Sequence, residues 1–167
     1  MELEPGLTAE MELIVEKRHT AAAVKGDLAP VLSTPQLIGL MESASHKSIS
    51  PFLEEGQSSV GTMVQMRHLA ATPVGMSVRV CAELLEVEGR RLKFKVEAWD
   101  TVEKIGEGEH ERFIINIEKF LARTQQKSAP PAAASWASRS PTLPPSSPAA
   151  RRTSSLPARQ TPPRLLS

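Results

Sequence analysis

The stretch Thr34-Pro-Gln-Leu-Ile-Gly-Leu-Met-Glu42-Ser-Ala-Ser-His-Lys-Ser48 decides how the rest of the chain is read. Thr34 offers an oxygen that can cap free N–H groups, and Pro35 suits the first position of a helix. Leu37, Leu40, Met41 and Ala44 then follow at i, i+3, i+4 and i+7, one apolar stripe. The helix is expected to end between Ser48 and Pro51, because residues before proline avoid helical geometry.

Outward from this helix the period changes from 3.6 to 2. Residues 7–16 read as a first strand and 24–33 as loop, broken by Gly26, Asp27 and Pro30. In 60–70, Val60, Thr62, Val64, Met66 and His68 fall on one face. In 76–87 the same alternation gives Val78, Val80, Ala82 and Leu84; in 91–99 it gives Leu92, Phe94, Val96 and Ala98. Glu88-Gly89-Arg90 joins the last two as a hairpin turn. A final strand spans 105–117, where Gly106 and Gly108 point to a bend or close backbone approach. The chain is therefore α+β: one helix against a curved antiparallel sheet whose last four strands read as a meander. One helix leaves sheet surface and an edge to cover, which predicts a homodimer.

Composition divides the chain. Before Lys127 there are 14 basic and 19 acidic residues; from Lys127 onward there are six basic and none acidic. Nine of the 14 prolines lie in that second part, where apolar periodicity stops. Residues 1–126 are expected to form the folded domain, and 127–167 to be a disordered tail that cannot bury enough apolar surface. The net −5 of the front part argues against a nucleic-acid surface. No apolar run approaches the about 20 residues needed to span a bilayer, and the acidic N-terminus lacks the pattern of a signal peptide. With Cys81 as the only cysteine, a reducing, cytoplasmic setting is expected.

Three side chains stand out as possible chemistry. Taken singly, each has a plain reading: Thr34 as a helix cap, Glu42 as a solvent-facing residue paired with His46, His68 as a core histidine. Taken together, a hydroxyl at a helix N-terminus, a mid-helix carboxylate and an inward imidazole make a candidate acyl-transfer site. Gly39, costly within a helix, is explained by close packing or by room for a ligand beside Glu42. Gly61 allows the strand backbone to approach a ligand. Arg112 reads as paired with a neighbouring acid or reaching a phosphate, with the ion pair favoured. The four histidines lack metal-ligand spacing, so no metal or other cofactor is expected.

These residues resemble the fluoroacetyl-CoA thioesterase family of the hot-dog-fold thioesterases. The resemblance covers about residues 7–127 and is carried by Gly39-Leu-Met-Glu42, Gly61-Thr62, His68 with Ala70-Ala-Thr-Pro-Val-Gly75, and Gly108-Glu-His-Glu-Arg112. It implies a helix wrapped by a curved sheet, a dimer with sites near the subunit interface, and hydrolysis of acyl-CoA. It also implies catalytic roles for Thr34, Glu42 and His68, and a substrate-lining role for Gly61. The family's phenylalanine lid has no counterpart, since residues 19–33 contain no Phe, Tyr or Trp. A short- or medium-chain acyl-CoA is the expected substrate. The alternatives are a non-catalytic acyl-CoA sensor and an enoyl-CoA hydratase on the same scaffold.

Overall fold

The computed structural model describes residues 3–24, 26 and 29–128, all within one unit, Met1–Ala129. The elements run β1 (Thr8–Ile14), a 3-10 turn, a short helix α1 (Ala21–Val24), α2 (Thr34–Ile49), a second 3-10 turn, then β2 (Gln57–His68), β3 (Ser77–Glu88), β4 (Arg91–Asp100), β5 (Lys104–Asn116) and α3 (Ile117–Ser128). The five strands form one antiparallel sheet in the order β1-β3-β4-β5-β2. Among the described residues no helix is long and apolar enough to cross a membrane.

The sheet wraps α2. Leu37, Met41, Ala44 and Ile49 of the helix are buried against Val78, Val80, Ala82 and Leu84 of β3 and Leu92, Phe94, Val96 and Ala98 of β4. The inward faces of β3 and β4 are those the alternation predicts. Full burial of one such apolar side chain contributes on the order of 2 kcal/mol, so the helix is held by its stripe rather than by propensity. Gly89 takes φ +58°, a left-handed value a two-residue hairpin turn requires.

Three expectations change. Only β3, β4 and β5 form a meander, because after β2 the chain crosses over and β2 pairs with β5 at the sheet edge. The crossing segment is anchored to the residues just before α2 by Leu32 N–H donating to the Thr72 carbonyl at 2.8 Å. Second, Val60 and Thr62 do not share the inner face with His68. A bulge between Gly61 and Met63 inserts one residue and reverses the alternation. Val60 and Thr62 therefore line an outer groove with Phe113 and Ile115, while Gly61 takes the inner side opposite Arg112. Third, 117–128 is helical. Asn116 Oδ1 accepts from the Lys119 N–H at 3.0 Å, an N-cap that ends β5 and starts α3. The boundary read at 126/127 thus falls inside α3, and the expected disordered tail lies, from 129 on, outside the described residues.

Candidate active site

At the mouth of α2 the capping position belongs to Ser33, extended at φ −81° and ψ 147°, and not to Thr34. This frees the Thr34 side chain. Its Oγ1 lies 3.0 Å from His68 Nδ1, joining the start of α2 to the end of β2. His68 Nε2 is buried and has no partner in hydrogen-bond geometry among the described residues; the same holds for Ser33 Oγ. Burial pushes the His68 pKa down, and the nearby Ala70 main chain offsets part of that.

Glu42 lies eight residues on, about 12 Å along the axis and about 80° around it. Within one chain it does not share the Thr34–His68 depression. It lines a second one with Gly39, His46, Ser59, Gly61 and Arg112. Three residues proposed to contact substrate, Gly39, Gly61 and Arg112, thus stand around Glu42 and not around His68. The Glu42 side chain keeps 41% of its exposure, and its carboxylate makes no hydrogen bond among the described residues.

The expected pairings of Glu42 and Arg112 differ from what is found. His46 turns its Nδ1 to Ser59 Oγ at 3.0 Å, away from Glu42. Among the described residues Arg112 forms no ion pair with an acid. Its Nε donates to Ser59 Oγ and Nη2 to the Ser59 carbonyl, both at 2.8 Å, and Nη1 donates to the Glu42 main-chain carbonyl at 3.3 Å. The guanidinium is buried, and these bonds together with one to the His110 ring at 3.1 Å engage most of its N–H groups without a carboxylate.

The two glycines beside Glu42 work differently. A Cβ at Gly39 would meet nothing within 4 Å, so close packing does not explain that residue. At Gly61 a Cβ would collide with Glu42 Oε1 and press on His110 Cε1 at 3.1 Å. Since the colliding atom is the end of a flexible side chain, Gly61→Ala should fold but displace the carboxylate. A misplacement of about 1 Å costs on the order of 10²-fold in turnover. Steady-state kinetics beside a thermal melt would check this; unchanged turnover would remove Gly61 from the site.

His110 was missed as a functional candidate. The available signal was the spacing of His110, Arg112 and Ile114, which places all three on the inner face of β5. Burial lowers its pKa, aided by the Arg112 charge, and the Met63 main chain opposes. His46 and His68 are lowered too, each chiefly by burial. Folded pKa values below the usual 6.5 mean that the unfolded chain binds more protons as pH falls. Their contribution to stability is complete above pH 6.5 and is lost as pH falls toward the lowered values. Urea midpoints should therefore drop from pH 7 to pH 5, and less steeply in His110→Gln. A midpoint that rose over that interval would contradict the sign.

Comparison with known proteins places this geometry. Residues 15–118 match the model of the fluoroacetyl-CoA-specific thioesterase family. The fluoroacetyl-CoA thioesterase of Streptantibioticus cattleyicolor is 49% identical over 98 residues, covering 59% of this chain and 70% of that protein. A solved structure of a fluoroacetyl-CoA thioesterase superposes with TM-score 0.74 at 38% identity, covering 76% of this chain and 98% of that one. A thioesterase superfamily member from Thermus thermophilus gives TM-score 0.71 at 35% identity, with 75% and 93% covered. For fold alone, a hot-dog-like protein from Thermanaerovibrio acidaminovorans gives TM-score 0.71 at 22% identity, with 76% and 94% covered. A central helix in a curved five-stranded sheet and the match over 15–118 together mean that this hot-dog chain belongs to the fluoroacetyl-CoA-specific thioesterase family.

Proposed function

We propose that the chain hydrolyses an acyl-CoA thioester to the free acid and CoA, with Thr34, Glu42 and His68 as catalytic residues. The observation that carries this reading is the 3.0 Å contact of Thr34 Oγ1 with His68 Nδ1, which leaves the other ring nitrogen buried and without a partner among the described residues. With the Thr34 hydroxyl donating to Nδ1, the neutral ring holds its proton on Nε2. Glu42 acts in one of two ways: its carboxylate oxygen adds to the thioester carbonyl, giving an acyl–Glu42 anhydride that water then hydrolyses, or it takes a proton from the water whose oxygen adds. The C–S bond then breaks, the sulfur leaves as a thiolate that the His68 N–H hydrogen-bonds, and the water consumed in forming the acid supplies the proton that the thiolate takes up. The N-terminus of α2 favours the negative charge that develops on the carbonyl oxygen. Gly39 leaves space for the thioester, Gly61 leaves space for the Glu42 carboxylate that acts on it, and Arg112 fixes the backbone beneath. Every step uses side chains of the protein, so no cofactor is called for.

The protein acts as a homodimer in this reading. β2 is twelve residues long and lies at a sheet edge, with one side unpaired among the described residues. Gly61 and His68 are separated on it by about 20 Å. Antiparallel pairing of β2 with its copy, about an axis between Val64 and Gln65, would set Gly61 of one chain opposite His68 of the other. Two identical sites would close, each with Glu42 from one chain and the Thr34–His68 pair from the other. The single Cys81 supports a reducing, cytoplasmic setting.

Thiol release from a panel of acyl-CoAs, acetyl and fluoroacetyl through long-chain, tests this reading. Release of CoA with free acid is expected, greatest on short or medium chains. Binding without release would favour a sensor, and loss of an enoyl chromophore without free CoA would favour a hydratase.

A further inference from the structure

We propose that His110 is a positioning residue, which ties the β2 bulge to the Arg112 guanidinium and thereby holds Glu42 against Gly61. The inference rests on the thioesterase reading above. The His110 side chain is fully buried on the inner face of β5. Its Nδ1–H donates to the Met63 carbonyl at 2.8 Å, which fixes the tautomer and leaves a lone pair on Nε2. That lone pair accepts from Arg112 Nη1 at 3.1 Å, the same nitrogen that donates to the Glu42 main-chain carbonyl at 3.3 Å. Glu42 Oε1 stands 3.9 Å from Nε2, too far for a hydrogen bond.

Both ring nitrogens are thus committed, each to an element that shapes the surroundings of Glu42. Met63 closes the bulge that turns Gly61 inward, and Gly61 is where a Cβ would displace the carboxylate. Arg112 spans from Ser59 on β2 to α2, so the guanidinium holds helix and strand at one separation. Without an acceptor at Nε2, the Nη1 group keeps one partner and gains freedom to tilt. The ring also packs near Phe94, 6.3 Å between centroids, so packing and positioning must be separated by experiment.

Two substitutions separate positioning from packing. His110→Asn keeps an N–H for Met63 and removes the acceptor for Arg112. His110→Gln puts a carbonyl where Nε2 lies. In His110→Asn, kcat is expected to fall on the order of 10²-fold with KM and the thermal midpoint close to those of His110→Gln, which retains most of its kcat. Arg112 side-chain N–H signals in the NMR spectrum should be slow to exchange in the unaltered chain and in His110→Gln, and fast in His110→Asn. Equal losses of kcat and thermal midpoint in both variants would reduce His110 to a packing residue, and unchanged kcat in both would overturn the proposal. If the unaltered chain releases no thiol, the thioesterase reading fails, while the exchange measurement still decides whether His110 holds Arg112.

Discussion

Glu42→Gln is expected to lower kcat by a factor between about 10² and 10⁴, the range that a positioned acid–base group supplies. Stability should hardly change. The side chain is half-exposed, its carboxylate makes no hydrogen bond among the described residues, and the contact with Arg112 is through the main-chain carbonyl, which the substitution keeps. The amide matches the carboxylate in size, so Gly61 still has room opposite it. KM should stay near its original value, because the charge acts on the carbonyl carbon or on water and not on the nucleotide end of CoA. Thiol release measured beside a thermal melt decides the matter. Retained turnover would remove Glu42 from the chemistry, whatever the fold resembles.

A second large effect comes from mixing two inactive variants. Glu42→Gln and His68→Ala chains, co-expressed under separate tags, should each form inactive homodimers. If each site draws Glu42 from one chain and His68 from the other, every mixed dimer holds one site with both residues intact. It also holds one site with neither. Random pairing makes half of the dimers mixed, so activity should return to about a quarter of the unaltered level. If each chain carried a complete site, no mixture would recover anything. The two depressions at opposite ends of β2 are the reason to expect recovery, since Glu42 does not reach the Thr34–His68 depression of its own chain.

Local structure was largely legible before any coordinates. The α2 stripe, the inner faces of β3 and β4 and the turn at Gly89 follow from periodicity and glycine backbone freedom, which are properties of neighbours in sequence. The helix α3 was hidden by its exposed, weakly apolar composition, although Asn116 was there to cap it. The candidate site was legible as residue types and spacings, Thr34, Glu42 and His68, of which the structure brings Thr34 and His68 into contact. His110 carries no local mark of its role, because its Met63 partner lies 47 residues away on β2.

By itself the sequence determined the helix, the strands, the faces of β3 and β4 and the identity of the polar residues set among apolar ones. Each of these depends on spacings of a few residues, and backbone geometry converts such spacings directly into direction. Only the tertiary structure decided that β2 pairs with β5, that a bulge turns Val60 outward and Gly61 inward, and that Arg112 answers to Ser59 and His110 instead of a carboxylate. Apart from the His110–Arg112 contact, those outcomes depend on contacts between residues roughly fifty apart. There the cost of bringing strands together is balanced by pairing and burial that no local pattern records.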